Sequence, residues 1–340
     1  MYKRRNTIIA SAGLFVLTVI VMLFSTGVGE SDISPQTVFA ILTEFITGQT
    51  PYWTSGEEVI VVGIRLPRII LGALVGVCLA MSGAALQSLF RNPMADPFIL
   101  GISNGAALGA TIIFVYGTAG IIGFYSLPIM AFIFGLATIF LVYYVARVGN
   151  QVPVNTLLLS GIAISALFSA VNSFIMFTGG QNLNQILFWT MGGLSGRGWD
   201  YVWIILPFTV AGTIVMLTLT RQMNAMMFGE ESAQYLGIEV EKLKKILLVT
   251  TALITSAAVA VSGIIGFVGL IIPHIVRLIT GPDHRILIPA SIFAGAIFIV
   301  VADMFARMII APAELPLGVI TALCGAPFFL YLLRSKRGEL

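Results

Sequence analysis

Residues 66–89 read LPRIILGALVGVCLAMSGAALQSL and contain no charged side chain after Arg68. A helix rises about 1.5 Å per residue, so about 20 mostly apolar residues are needed to cross the roughly 30 Å hydrocarbon layer of a bilayer. This stretch is long enough to do so alone. It predicts a transmembrane helix, and comparable stretches recur along the whole chain.

The overall composition supports a membrane protein. Of the 340 residues, 58% are hydrophobic and 10% are charged, and the mean hydropathy is +1.01. A soluble domain carries about 25% charged residues, so a water-facing surface cannot be built from this chain. Because the apolar stretches do not separate into blocks, we predict a single membrane domain over residues 1–340.

The length criterion predicts an all-α fold with about ten transmembrane helices. The eighth is too short to cross the bilayer alone, and we expect protein to cover it because lipid cannot satisfy unpaired backbone groups. The predicted spans lie near 8–28, 66–89, 99–117, 121–146, 154–177, 201–220, 246–268, 270–280, 287–309 and 316–333.

The distribution of basic residues predicts the orientation. Lys and Arg are enriched in the cytoplasmic loops of membrane proteins. With both termini in the cytoplasm, only four of the 18 Lys and Arg residues fall outside: Arg65, Arg68, Arg197 and Arg307. We therefore predict a multi-pass protein of the cytoplasmic (inner) membrane with cytoplasmic N- and C-termini.

Two predicted loops are long enough to hold helices of their own. In the outer loop, 29–64, Ser34 followed by Pro35 is typical of a helix start. The inner loop, 221–245, is the largest cytoplasmic loop, and Gly237 is placed to end a short helix there. This loop also contains Glu230, Glu231, Ala233 and Leu236.

The sequence lacks the common catalytic motifs. None of the five lysines follows a glycine, so there is no phosphate-binding loop of the Gly-x-x-x-x-Gly-Lys-Ser/Thr type. Cys78 and Cys324 lie inside apolar stretches and suggest neither a disulfide nor a metal site. With only two histidines, His274 and His284, we predict neither an enzyme nor a metal centre.

Ionisable residues near the outer ends of the spans allow two interpretations. Arg65, Arg68 and Arg307 could extend to the interface from buried stems, with Arg307 pairing to Asp303 one turn earlier. They could instead be basic sockets for carboxylates of a docking protein. Asp303, an acidic residue inside a predicted span, is either part of that ion pair or a site in its own right.

Several motifs in this order resemble the FecCD family of ABC-importer permeases, which carry iron-siderophore complexes, haem or cobalamin. The matching segments are RLPR at 65–68, SGAALQ at 82–87, RNPMADPFILG at 91–101, WTMGG at 189–193, EESAQYLGI at 230–238, GFVGLIIPHIVR at 266–277, GPDHR at 281–285, ADMFAR at 302–307 and ELPLGVITALCGAPFF at 314–329.

The resemblance implies the type II ABC importer permease fold and a set of partners. These are a second permease copy, most simply in a homodimer, two cytoplasmic ATPase subunits that bind ATP and Mg, and an extracytoplasmic substrate-binding protein. No cofactor is implied for this chain, and no nucleic acid partner is expected. The implied function is import of an iron chelate (siderophore or haem) or cobalamin, driven by the ATPases.

The resemblance also assigns roles to residues. The sockets for the binding protein correspond to Arg65, Arg68 and Arg307. The two histidines belong to the family pattern whatever the cargo, so they are expected to be structural or to face the ATPase. The ATPase coupling surface corresponds to Glu230, Glu231, Ala233, Leu236 and Gly237, and the translocation path with its gate to Gln151, Val152, Asn155, Ser160, Ser165, Ser169 and Asn172.

A different class of transporter remains an alternative. In a proton-coupled secondary transporter, Asp303 would carry the proton. That hypothesis predicts transport without an ATPase, and activity that is lost in Asp303→Asn but does not depend on Glu230 or Leu236.

Overall fold

The computed structural model of the protein describes residues 2–29, 33–48, 52–117, 123–179 and 182–335. Over these residues the only extended pairing is one isolated bridge, Val148 with Gln151, so the all-α prediction is confirmed. The helices are α1 Tyr2–Gly27, α2 Pro35–Thr47, α3 Ser55–Leu89, α4 Ile102–Tyr116, α5 Ser126–Ala146, α6 Val154–Gly179, α7 Leu183–Thr190, α8 Trp199–Thr218, α9 Thr220–Met226, α10 Glu230–Tyr235, α11 Val240–Ser262, α12 Val268–Thr280, α13 His284–Met308 and α14 Leu317–Ser335.

Each of the ten predicted spans coincides with an apolar helix. Six helices, α3, α5, α6, α8, α11 and α13, are long and apolar enough to cross a membrane. Shorter apolar segments lie in α1, α4, α12 and α14. The predicted start of the fourth span, at 121, lies outside the described residues.

The second span begins earlier than predicted. Thr54 caps the start of α3: its Oγ1 accepts from the Glu57 amide at 3.3 Å, and the Glu57 carboxylate accepts from the Thr54 amide at 2.7 Å. This reciprocal pair satisfies free amides at the helix start. The outer loop therefore ends near residue 54 rather than at 64, because a helix can continue beyond the hydrocarbon layer wherever its end is capped.

The same reason explains a second difference. The lysines at 242, 244 and 245 led to a predicted loop up to 245, whereas α11 already starts at Val240. The first turns of α11 are therefore charged and helical at once. Two other predictions in the loops are confirmed: Ser34 caps α2, with Pro35 at its first position, and Gly237 ends α10 at φ +80°.

Helix α3 lies at the centre of the bundle. It contacts α8, α11, α12 and α13, and 20 of its residues between Pro67 and Leu89 are buried. A second group of helices, α4, α5 and α6, joins the first through α11. Glycines allow the closest approaches, because a Cβ at Gly76 would overlap the Gly295 carbonyl and one at Gly83 would overlap that of Gly269.

The short helix α12 is supported by a side chain of α3. In a regular helix the Gly269 carbonyl would accept from the amide of residue 273, but Pro273 has no amide hydrogen. Gln87 Nε2 donates instead to the carbonyls of Gly269 at 3.2 Å and Leu270 at 3.1 Å. The expectation that protein covers the short eighth span is thus met by a specific hydrogen bond.

We predict that Gly83→Ala destabilises the protein strongly, by about 3 kcal/mol, since the new methyl would meet rigid backbone rather than a movable side chain. Gly63→Ala is the matched control in the same helix, because a Cβ there meets only the Val59 side chain at 3.8 Å. Denaturant titration of both variants in detergent measures the difference. Equal stability of the two would contradict the packing described for α3 and α12.

Candidate functional site

A cluster of buried charges lies where α3, around residues 65–68, meets the end of α13. Arg68 makes paired contacts with two carboxylates: its Nη2 lies 2.9 Å from Asp303 Oδ1, and its Nη1 lies 2.6 Å from Glu314 Oε1. Arg307 Nε lies 3.2 Å from the other oxygen of Asp303. Two cations and two anions therefore neutralise one another inside an apolar bundle.

Glu314 was not identified as a site residue from the sequence. It lies between α13 and α14, 246 positions from Arg68, so spacing along the chain gave no signal. Burial by itself raises the pKa of Glu314, but hydrogen bonds from Arg68 and Ser195 and the charges of Arg68 and Arg307 outweigh it. The net pKa lies below its usual value, so Glu314 is ionised at neutral pH.

The two other predicted sockets bind the end of α1. Arg65 Nη1 donates to the Thr26 carbonyl at 3.0 Å, and Arg307 donates to the Val28 carbonyl at 2.6 Å and to Ser25 Oγ at 2.8 Å. Carbonyls at a helix C-terminus lack intrahelical partners and attract cations. The cluster therefore also fixes α1 against α3 and α13.

All three predicted socket arginines are buried, with Arg65, Arg68 and Arg307 only 6%, 8% and 7% exposed. The structure brings them together and confirms the ion pair between Arg307 and Asp303 that the spacing suggested. Their docking role stays a prediction. A carboxylate of another protein would have to compete with Asp303 and Glu314 for these guanidinium groups.

A cavity of about 470 Å³ opens beside this cluster, and Arg68, Asp303, Glu314, Trp189 and Arg197 are among the residues that line it. The WTMGG motif shapes one wall. Gly192 has φ +69°, its carbonyl accepts from the Leu317 amide at 2.9 Å, and a Cβ there would overlap the Ile264 carbonyl. Only glycine suits this position, where three segments meet.

The predicted gate, near Gln151 to Val154, lies at the other end of the bundle. We call residues 148–153, which precede α6, the gate loop. Val152 is buried, and its amide donates to Glu241 Oε2 at 3.2 Å. Lys244 Nζ, from the second turn of α11, lies 3.4 Å from the Val152 carbonyl. A cavity of about 380 Å³ is lined by Gln151, Asn155, Glu230 and Lys244, among others.

The predicted path residues of α6 do not share one environment. Ser160 is buried and Asn155 is exposed. Ser165 packs against Gly101, since a Cβ on that glycine would lie 2.7 Å from its Oγ, whereas Ser169 is exposed. Asn172 is half-buried, and its amide lies 3.7 Å from Met176 Sδ. Their role in a path stays a prediction.

Residues of the predicted coupling surface fall into two groups. Ala233 is fully buried, so its side chain contacts the protein's own core, and Gly237 closes α10, with the Ile238 amide donating to the Ala233 carbonyl at 3.1 Å. Glu231 and Leu236 are exposed. Two neighbouring exposed residues were missed although apolar side chains in a polar loop could have signalled them: Phe228 at 79% and Tyr235 at 93%.

The two histidines have structural surroundings. His284 starts α13, and both its amide and its Nδ1 lie 2.8 Å from Asn224 Oδ1 of α9. His274 is buried and meets the Phe328 ring edge-on at 6.1 Å. In the described part of the chain, no three His, Cys, Asp or Glu side chains are grouped as metal ligands.

Comparison with known proteins agrees with this architecture. The model of the FecCD transport family matches residues 17–335. The chain belongs to the FecCD transport family. It is 43% identical, over 96% of each chain, to the cobalamin import system permease protein BtuC of Halobacterium salinarum.

Other FecCD relatives are named for different cargoes. The hemin transport system permease protein HmuU of Yersinia pestis is 39% identical over 96% of this chain and 95% of its own. A solved chain described as an inward-facing conformation of a metal-chelate type ABC transporter superposes with a TM-score of 0.84 at 30% identity, covering 96% of this chain and 99% of that one. The protein is therefore a multi-pass permease of ABC-transporter type and not itself an enzyme.

We predict that Asp303→Asn lowers the free energy of unfolding by about 3 kcal/mol, because it leaves Arg307 without a carboxylate in a buried site. Arg68 retains Glu314. Glu239→Gln is the control, since its pair with Lys242 is solvent-exposed and such pairs contribute little. Denaturant titration in detergent measures both. If Asp303→Asn were as stable as the control, the charge of Asp303 would not contribute to the stability of the fold.

Proposed function

We propose that this FecCD protein is the permease subunit of a binding-protein-dependent ABC importer of the cytoplasmic membrane. It pairs with a second permease copy and is driven by two cytoplasmic ATPase subunits that bind ATP and Mg. Both termini face the cytoplasm. Its cargo is a large metal chelate: an iron siderophore, haem or cobalamin.

The observation that carries this proposal is the exposed surface around α10. Phe228, Tyr235 and Leu236 are 79%, 93% and 70% exposed at the end of the bundle where the lysines cluster, outside the apolar spans. An exposed apolar patch rimmed by charges is typical of a protein contact. Because α9 and α10 connect directly to α8 and α11, a force on this surface is applied to two membrane helices.

The opposite end supports docking of a substrate-binding protein. The cavity beside Arg68 is lined by both signs of charge, and Arg68 and Arg307 are already paired with carboxylates within the chain. Docking would therefore replace an ion pair within the chain by one between two proteins, so the number of ion pairs would stay the same. An exchange of this kind favours specificity and release over tight binding.

The mechanism we propose is alternating access without a high-affinity cargo site in this chain. The loaded binding protein docks at the outer end, and closure of the ATPases on ATP displaces the α9–α10 surface. That displacement switches the gate loop before α6. Affinity for cargo resides in the binding protein.

The names of the relatives support the cargo class. They include permeases named for cobalamin, for hemin and for iron(3+)-hydroxamate, the last being FhuG of Bacillus subtilis at 36% identity. All three cargoes are metal-centred and large. The proposal is therefore made for that class and does not single out one member.

The proton-coupled alternative has less support. A proton carrier needs a carboxylate whose oxygens are free to take up and pass on a proton, but the two oxygens of Asp303 are occupied by Arg68 and Arg307, 2.9 and 3.2 Å away.

We expect the substrate-binding protein that works with this permease to copurify with a metal chelate. Purified without added ligand, it should show a visible absorption spectrum and an intact mass that together distinguish haem, cobalamin and an iron siderophore. A metal-free solute bound in its place would contradict the proposed cargo class without affecting the permease assignment.

We predict that the double substitution Glu231→Lys with Leu236→Asp separates ATP hydrolysis from uptake. The first change reverses a charge, and the second puts a charged side chain where an apolar one would be buried against the ATPase. The measurement is cargo uptake and ATP hydrolysis in proteoliposomes, with copurification of the ATPase as the check on assembly. Glu58→Lys is the control, because it also reverses an exposed charge. Glu58 lies near the start of α3, about 50 Å by helix rise from the other end of that helix at Leu89, which is the end nearer to α10. Normal uptake by the double variant would overturn the coupling assignment.

A further inference from the structure

Lys244 is a buried cation that contacts three different segments of the chain. Its side chain is 4% exposed, and its Nζ lies 2.7 Å from Glu230 Oε2, 3.0 Å from Glu241 Oε1 and 3.4 Å from the Val152 carbonyl. An ammonium group has three hydrogens to donate. Each of them has an acceptor here, so the group is fully used.

The three acceptors belong to three elements. Glu230 is the first residue of α10, Glu241 belongs to α11 like Lys244 itself, and Val152 belongs to the gate loop. Glu241 also accepts from the Val152 amide at 3.2 Å. The gate loop is therefore held through the backbone amide and the backbone carbonyl of Val152, which any residue other than proline at this position would retain.

Glu230 and Glu241 differ in what the loss of their contact with Lys244 would do to the gate loop, because only Glu241 also holds Val152. A buried ammonium left without any anion is strongly unfavourable. If α10 moves and Glu230 separates from Lys244, Glu241 still neutralises the lysine. The contact between Glu230 and Lys244 can therefore break and reform without stranding a charge, while the contact to Val152 is kept.

We propose that Lys244 is a positioning residue through which the position of α10 controls the gate loop: with Glu230 in contact the lysine ties α10 to the gate loop, and with Glu230 displaced it leaves the two free to move apart. This inference rests on the proposed function, in which α10 contacts the ATPase and residues 148–153 form the gate. The lysine acts as a link with one exchangeable end, at Glu230, and one permanent end, at Glu241 and Val152. Arg91 is the other basic side chain that lines the same cavity.

The test uses the permease assembled with its ATPase in nanodiscs. A spin label is attached to a cysteine introduced by Asn150→Cys, at an exposed position of the gate loop. Cys324 is exposed and is replaced by serine, whereas Cys78 is buried and stays. Label mobility is compared with and without MgATP and orthovanadate. The variants are Lys244→Met, Lys244→Arg and the control Lys242→Met, whose lysine is exposed on the same helix.

We expect the nucleotide-dependent change at Asn150 to be present in the parent protein and in Lys242→Met, and to disappear in Lys244→Met. Uptake per ATP hydrolysed should fall about tenfold in Lys244→Met, which is a common size for coupling between two sites. ATPase copurification should persist, and Lys244→Arg should recover part of the response because it retains the charge.

The possible failures are distinguishable. A normal response at Asn150 in Lys244→Met would overturn the role of the lysine and leave the proposed function intact. A parent protein whose gate loop does not respond to nucleotide would overturn the gate itself and the inference with it. If Lys244→Met does not assemble with the ATPase, Glu241→Met decides: it removes both acceptor oxygens and so releases the Val152 amide, but it leaves Lys244 paired with Glu230, and an unchanged response there would count against the link.

Discussion

A charge or a backbone amide inside a hydrocarbon layer must find its partner within the protein, because lipid offers none. This constraint explains the buried polar contacts that join distant helices of this permease. Arg68 is paired with Asp303 and Glu314, and the arginines at 65 and 307 bind carbonyls at the end of α1. Each contact satisfies a polar group and, at the same time, joins helices that are distant in sequence.

Backbone groups follow the same rule. Pro273 deprives a carbonyl of its usual partner in α12, and Gln87 of α3 replaces that partner. The replacement requires α3 and α12 to lie close together, which Gly83 and Gly269 permit. Two features of the composition, many glycines and a few buried polar side chains, thus depend on each other in this fold.

The two ends of the bundle treat charge differently, and this difference bears on function. At the end where Arg68 and Arg307 lie, each of these cations is paired with a carboxylate, and together with Arg65 they fix α1, α3 and α13. At the other end, one lysine is shared between two carboxylates and a main-chain carbonyl. The first arrangement holds three helices together through paired charges, whereas an excess of acceptors around one cation permits exchange of partners, as a moving part requires.

The amino-acid sequence by itself was sufficient to predict the positions of the membrane helices and the all-α fold class. Apolar length located ten spans, Ser34 and Gly237 marked a helix start and a helix end, and the i,i+4 spacing of Asp303 and Arg307 indicated their pairing. These properties depend on neighbours within a few positions, so they can be read locally. The start of α11 at Val240 was missed because charge was taken as the sign of a loop.

Only the tertiary structure decided which distant groups meet. Glu314 lies 246 positions from Arg68, and Val152 lies 92 positions from Lys244, so neither spacing nor composition relates them. The burial of Ala233 and of the three arginines depends equally on how helices pack. Helix formation follows from local hydrogen bonds and hydrophobic length, whereas the pairing of buried charges follows from which helix faces come together in three dimensions, and that is settled by packing of the whole chain.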